Sequence, residues 1–406
     1  MKRLFNMRYL ILGAGPSALT LANSLIDKGE TDLLVLEKEH EAGGLCRSLE
    51  VDGAPLDIGG GHFLDVRRPK VNDFLFRFMP QDEWDLYSRD SRIHVDGQMV
   101  NHPLEANIWQ MDIDTQLQYL LSISTAGCVT GKEKPEDFVN WIRWKLGDRI
   151  SDSYMIPYNQ KMFGDNLNEL GTYWLNKLPD VSFEDVLRSC LEHKAHAKQP
   201  GHASFYYPKE FGYGELWKRM AERLDDKIKY DSLVKTIDLD SHVVTLADGT
   251  AYEAEMIITT IPWNCFTEIK GMPGSITDNI RNLKHTGVVI SYCQDNLDTK
   301  AHWIYEPDTD KDYHRILVRH NFCPGSRGYW KETRRERFVG NSDSFSYLNE
   351  YAYPLNTVDK PAIMSELISF CKSKNVFPLG RWGEHEHYNS DLVVELAMKL
   401  SDELTD

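Results

Sequence analysis

Long apolar runs are absent from this sequence. No stretch approaches the ~18–20 consecutive apolar residues that a membrane-crossing helix needs, so no membrane span is expected. Cysteine is sparse: 7 residues, at positions 46, 128, 190, 265, 293, 323 and 371, none in a CxxC pair. An odd, scattered set does not make a disulfide framework and fits a reducing, cytoplasmic setting. Positive charge is in deficit, 46 Lys and Arg against 62 Asp and Glu, for a net charge of −16. Such a chain repels nucleic acid and anionic membrane, so neither is an expected partner. An anionic substrate would need a local cationic pocket. Internal repeats, low-complexity segments and long linkers are also missing.

The 406 residues suggest two or three domains, at roughly 100–200 residues each. The start, "MKRLFNMRYLILGAG", carries the basic and apolar parts of a leader. Its apolar run, Tyr9 to Leu12, is too short for one and leads directly into glycines. Residues 1–6 are therefore expected to be a loose extension or an early start.

The first strong pattern is "YLIL" followed by Gly13-Ala14-Gly15-Pro16-Ser17-Ala18. A short, fully apolar strand suits the centre of a parallel sheet. G-x-G-x-x-A is a variant of the dinucleotide fingerprint. Gly13 makes the turn, Gly15 lets a pyrophosphate approach the backbone, and Ala18 lets the helix pack on the strand. "ALTLANSLIDKG" continues as that helix, ending at Gly29. "DLLVLEK" is the next strand, ending in Glu37 and Lys38. A carboxylate about 20 residues past the fingerprint can bind both ribose hydroxyls. It disfavours a 2′-phosphate, which leaves NAD or FAD.

Two further stretches bear on that choice: "EHEAGGLCRS", with Gly43, Gly44, Leu45 and Arg47, and "APLDIGGGHFL", with Gly60, Gly61 and His62. Together they resemble FAD proteins of the amine oxidase and protoporphyrinogen oxidase superfamily. There a second glycine loop runs along the pyrophosphate and flavin, where backbone must lie against flat or charged surfaces.

Farther along, "SRIHVDGQMVNHPL" reads as a hairpin with Asp96-Gly97 at its turn. Residues 105–200 read as helices, and 204–224 as an aromatic turn entering an amphipathic helix. Residues 228–262 read as four strands with an Asp248-Gly249 turn, and "GVVISYCQ" and "HRILVRHNF" as two more. On the last of these, Arg315 and Arg319 are expected on one face.

Several of these stretches resemble one branch of the superfamily, the UDP-galactopyranose mutases and their relatives, over about residues 8–404. "GGGHFLD" is similar to the loop that sets a histidine against the flavin, which implies that role for His62. "YNQKMFGDNLNEL" resembles the Tyr-x-x-x-x-Trp-Gly segment, giving Tyr158, with Phe163 where tryptophan is usual. "YHRILVRHNFCP" and "EYAYPLNT" resemble the segments that offer an arginine and a tyrosine to the substrate diphosphate, here Arg315 and Tyr353. "FPLGRWGEHEHYNSDLVVELAMKLSDEL" resembles the closing Gly-Arg loop and helix. It implies Gly380, Arg381, Asn389, Ser390 and Asp391 near FAD, while Val234 is implied near the adenine.

The resemblance implies an α/β fold: a discontinuous Rossmann-type FAD domain (7–65, 204–264 and 355–406), a helical insertion (105–203), and a mixed substrate sheet (66–104 and 265–354). It implies a flavoenzyme acting through flavin N5 on a nucleotide sugar or related glycan precursor. His62, Arg315, Tyr353 and Tyr158 are the catalytic candidates. One departure stands out. True mutases carry a second diphosphate-clamping arginine in the aromatic stretch before the Gly-x-Gly helix. Here Ser204, Phe205, Tyr206 and Tyr207 occupy it. An arginine fork is not replaced by tyrosine. Lys209 or Arg319 is a candidate substitute. The alternative reading is a net oxidation, by a desaturase or amine-oxidase-like enzyme; a flavin-bearing accessory protein is a third. "GEHEHY" offers His385 and His387 on one face of a strand without a third ligand, so no metal is expected. "TRRERF" is expected to be a solvated loop.

Overall fold

A computed structural model describes residues 5–175, 181–196, 203–340 and 345–405. Among the described residues the strands form an eight-stranded, a seven-stranded, a three-stranded and a two-stranded sheet. No helix among them is long and apolar enough to cross a membrane.

The eight-stranded sheet grows from Phe5–Leu12, which pairs in parallel with Leu33–Leu36 on one side and Ala251–Thr259 on the other. Tyr9, Leu10, Ile11 and Leu12 are wholly buried, as a central strand covered on both faces requires. Phe5 and Asn6 already pair with Tyr252 and Glu253, so the expected loose extension shortens by two residues. Ile228–Lys229 extends one edge, and Val376–Pro378 lies parallel to Ala251–Thr259. The four strands expected in 228–262 are present. Glu268–Lys270 also joins this sheet, parallel to Thr236–Asp238. The first sheet thus reaches past residue 264. Its faces are covered by helices, among them Pro16–Asp27 and Ser390–Thr405.

The seven-stranded sheet runs in the order Ser346–Pro354, His285–Cys293, Tyr329–Arg334, Arg315–Leu317, Trp303–Tyr305, Ser91–Val95, Gln98–Asn101. The last two strands are the expected hairpin; Asp96 and Gly97 both have positive φ, as a type I′ turn demands. The helices between 104 and 192 pack a further apolar core, which reaches this sheet through Ile93, Val95, Val100 and Tyr305. The aromatic run 204–208 is a strand, not a turn: Ser204–Pro208 pairs with Trp84–Ser88 and Leu64–Asp65. "TRRERF" is likewise only partly loop, because Tyr329–Arg334 is a strand paired on both sides.

Arg319 corrects another expectation. The strand bearing Arg315 ends at Leu317, and Arg319 opens a 3-10 turn. Its fully buried guanidinium donates to the carbonyls of Val51 (2.8 Å), Ala54 (3.1 Å) and Arg327 (2.6 Å), and to the Tyr292 hydroxyl (2.9 Å). It fastens the hairpin 48–57 to the seven-stranded sheet. Arg319→Met should strand these acceptors and lower unfolding stability by about 3 kcal/mol. Urea denaturation reads this directly, and a loss under ~1 kcal/mol would contradict the fastening role.

Candidate active site

The strand ends at Leu12 and Leu36 open onto a cavity of about 400 Å³. Gly13, Gly15, Pro16 and Ser17 line it, as do Glu37, Lys38, Gly44, Leu45, Arg47 and Val234. Gly15 caps the helix Pro16–Asp27 without a side-chain partner, so the first-turn N–H groups are left for a ligand. A Cβ on Gly15 would meet no atom within 4 Å, so bare backbone faces the opening. Opposite it, a Cβ on Gly44 would come within 3.2 Å of Gly15 Cα; the two glycine loops touch. The Gly43 N–H donates to the Ala14 carbonyl at 2.8 Å, fixing that approach. Glu37 accepts from the N–H groups of Ala14 (2.7 Å) and Glu39 (2.9 Å). Burial raises its pKa, and these two bonds oppose the rise. Each Glu37 oxygen keeps a further lone pair for ribose.

Four cofactor candidates support this cavity without lining it. Ala18 is buried under the helix. Gly43 packs against Arg47. Gly60 packs against Glu332, and Gly380 against Ser17. The Gly380 N–H donates to the Glu384 carboxylate at 2.9 Å.

A second cavity, of about 390 Å³, meets the first at His62, Arg381 and Ser390, which line both. Gly61, Asn389 and Asp391 lie on this second side, with Tyr158, Arg315 and Tyr353. Asp391 accepts from Arg68 Nε at 2.6 Å, and Ser390 Oγ shares a 2.8 Å hydrogen bond with the Tyr213 hydroxyl. Arg381 donates to the carbonyls of Tyr388 and Ala352 and has no carboxylate partner among the described residues. Burial lowers its pKa. His62 Nδ1 lies 3.1 Å from the Gly60 carbonyl and so carries the proton. Burial, reinforced by Arg381, pushes His62 down to about 4, so it is neutral at pH 7.

Arg315 is held by Glu332. Arg315 Nε donates to Glu332 Oε2 at 2.9 Å, Nη2 pairs with the same oxygen, and Nη2 also reaches the Tyr353 hydroxyl at 3.3 Å. Glu332 Oε1 accepts from the Gly61 N–H at 3.2 Å. Sequence reasoning missed this carboxylate. The available signal was strand alternation, since Glu332 is the direct cross-strand neighbour of Arg315. Burial would raise the Glu332 pKa, but Arg315 and His314 outweigh it and hold it at about 2. The Tyr158 ring stands edge-on to Tyr305 at 5.6 Å, and its hydroxyl has no protein partner among the described residues. Burial raises its pKa, so it remains a phenol.

The other sequence candidates fall elsewhere. Lys209 is exposed and donates to the Asp82 carbonyl at 2.7 Å. Arg319 is committed to the hairpin described above. Of the aromatic run, only Phe205 lines the second cavity; the Tyr207 hydroxyl donates to Asp57 and that of Tyr206 accepts from Gln81. His385 lies beyond a short helix, Gly380–Gly383, rather than on a strand, and is buried against the Lys284 carbonyl. No group of three His, Cys, Asp or Glu is placed to hold a metal among the described residues.

The sequence profile described as flavin containing amine oxidoreductase matches residues 19–323. The chain belongs to that family. It is an FAD-dependent flavoenzyme of the amine oxidase superfamily, and FAD is its cofactor. The residues around the first cavity fit such a group: bare helix N-terminus, touching glycine loops, a ribose-ready carboxylate and a buried cation at the far end. This flavoenzyme shares its fold with a reduced UDP-galactopyranose mutase, at TM-score 0.90 and 21% identity, over 99% of this chain and 94% of that one. A putative protoporphyrinogen oxidase from Exiguobacterium sp. 255-15 follows at TM-score 0.69 and 13% identity, over 99% of each chain. An uncharacterized protein in the nifH2 3′ region of Methanothermococcus thermolithotrophicus is 47% identical over 53 residues, 13% of this chain and half of that protein's length.

Glu332 ties the stability of the fold to pH. Its folded pKa of about 2 lies below the ordinary carboxylate value, about 4.3. The stability it contributes is therefore complete above about pH 5 and lost as pH falls toward 2. Glu332→Gln should lower stability at pH 7 by about 3 kcal/mol, by leaving Arg315 buried without its counter-ion. It should also flatten the acid limb between about pH 5 and 2. Denaturation midpoints at stepped pH measure both; an acid limb as steep as the parent's would refute the assignment.

Proposed function

We propose that this flavoenzyme rearranges a nucleotide sugar without net oxidation, in the manner of UDP-galactopyranose mutase. The observation carrying the reading is the position of Arg315. It stands beside Tyr353 in a cavity that shares His62, Arg381 and Ser390 with the cofactor cavity. An anionic leaving group held by Arg315 would thus sit within one cavity's reach of the flavin. The mutase-like fold is in keeping with this.

When bound, FAD supplies an N5 that can act as a nucleophile or take a hydride. The chain's part is electrostatic and positional. Arg315, held by Glu332 through Nε and Nη2, leaves its Nη1 for phosphate oxygens. The Tyr353 and Tyr158 phenols can donate to the same group. Neutral His62, with Nδ1–H bound to Gly60, presents Nε2 as an acceptor at the junction. Gly13, Gly15, Ser17 and Arg381 are assigned to the flavin side, Glu37 to the ribose and Val234 to the adenine. The three-part flavin domain, helical insertion and substrate sheet are proposed as functional units on the same basis.

A specific observation favours a second reading, FAD-dependent oxidation of another substrate: the strand Ser204–Pro208 brings no arginine to the cavity. One experiment separates the two. Dithionite-reduced holoenzyme is incubated anaerobically with a panel of UDP-hexopyranoses, and products are resolved by chromatography. The mutase reading expects a furanose isomer with the flavin still reduced. No isomer from any sugar, together with oxygen uptake on amines or other reduced substrates, would replace it with the oxidase. Arg315→Ala should abolish isomerisation while leaving bound FAD unchanged by absorbance; full activity in that variant would sink the role given to Arg315.

A further inference from the structure

Arg89 lines the second cavity, and like Lys145 it is a cation there that no motif singled out. Its Nε donates to Ser91 Oγ at 2.6 Å and its Nη2 to the Tyr305 hydroxyl at 2.7 Å. The guanidinium lies over the Trp303 ring, 4.7 Å from its centroid. Among the described residues it has no carboxylate partner, and its Nη1 has no acceptor. The adjacent acid, Asp90, is committed to Arg92 through two bonds of 3.0 and 2.9 Å. The nearby His102 is pushed down to about 3, first by burial and then by Arg89 itself, so it adds no charge. Glu105, also on this cavity, is pushed up to about 7 by burial.

The placement matters as much as the missing partner. Tyr305 is the direct cross-strand neighbour of Arg315. Such neighbours lie ~4.5–5.5 Å apart with their side chains on one face. Arg89 binds the hydroxyl of that same Tyr305. Two guanidiniums therefore flank one phenol along the cavity wall. Arg315 is balanced by Glu332, whereas Arg89 has no carboxylate to balance it among the described residues. An uncompensated cation in a partly closed cavity is costly unless a ligand or water answers it. Stacking and two fixed nitrogens also hold Arg89 in place before any ligand arrives, which reduces the ordering cost of binding.

We propose that Arg89 is the second diphosphate-binding cation of this enzyme, taking with Arg315 the two phosphoryl groups of a nucleoside diphosphate. It does so from the 88–91 turn, not from the strand 204–208. This rests on the nucleotide-sugar reading and names the residue that completes its anion subsite. Arg89 has a free N–H edge for phosphate oxygens, and Tyr305 between the arginines can donate its proton to the bridging region.

The test is calorimetric titration of FAD-loaded enzyme with UDP, inorganic pyrophosphate and uridine. Arg89→Ala should weaken UDP and pyrophosphate about ten- to a hundredfold, the range for losing a charged hydrogen-bonding partner. Uridine binding and the flavin spectrum should not change. Arg89→Lys should recover part of the loss, since it restores charge without the fork. Arg89→Gln keeps a stacking surface on Trp303 and provides the measurement if the alanine variant sheds FAD. UDP affinity equal to the parent's in Arg89→Gln, with affinity lost in Arg315→Ala, would overturn the assignment while leaving the nucleotide-sugar reading standing. Parent enzyme that binds neither UDP nor pyrophosphate would remove both.

Discussion

A fully buried carboxylate, Glu332, is the constraint on which the junction of the two cavities depends. Its oxygens are divided between a guanidinium on the neighbouring strand and an N–H of the glycine loop beneath. A buried charge of this kind persists only where its partners are close and its lone pairs are used. Both conditions are met, and each has a structural consequence. Arg315 is fixed at one wall of the second cavity. Gly61, and with it the backbone that carries His62, is fixed where the two cavities meet. Gly60 must lack a side chain because a Cβ there would lie 2.6 Å from Glu332 Oε1. Glu332 thus helps register the seven-stranded sheet against the glycine loop, together with Asn349, whose Nδ2 donates to the Ile58 carbonyl at 2.5 Å.

The cations around the junction are not equivalent. Arg315 is neutralised locally and can meet an anion without imposing a strong field of its own. Among the described residues Arg381 and Arg89 are paired only with carbonyl or hydroxyl oxygens, so they leave net positive charge, one where the two cavities meet and one in the second cavity. In a chain of net charge −16 these are local reversals. Low-dielectric walls concentrate such fields and strengthen them for a ligand that displaces water. His62 is kept neutral by the same surroundings, so it does not add a third charge where the flavin must fit.

What could be read from the sequence follows from how local each feature is. The fingerprint, its helix, Glu37 and the Asp96-Gly97 turn are written in residues close together, and each is present as expected. The lining of the first cavity was legible because bare backbone at a helix start is recorded directly by glycine spacing. The lining of the second cavity was not, because it is made by pairings across the chain. Arg315 finds Glu332 17 residues on, and Arg89 finds Tyr305 216 residues on, through strand register that no local pattern states. Arg319 misled for the same reason. Its period-two spacing from Arg315 held only if the strand continued, and the strand stops at Leu317. The aromatic run 204–208 looked like a turn because Gly-rich sequence follows it, yet its partners at 64–65 and 84–88 make it a strand.

These placements also change what the missing arginine means. Measured along the sequence, its absence from Ser204–Tyr207 counts against a diphosphate substrate. Measured in space, the relevant quantity is the set of guanidiniums that reach the cavity, whichever segment supplies them. Strand Ser204–Pro208 sends only Phe205 to that wall, and Phe205 packs edge-on to Trp303 at 5.2 Å. Trp303 in turn is the ring on which Arg89 lies. The aromatic segment that carries no cation therefore buttresses the ring on which Arg89 lies.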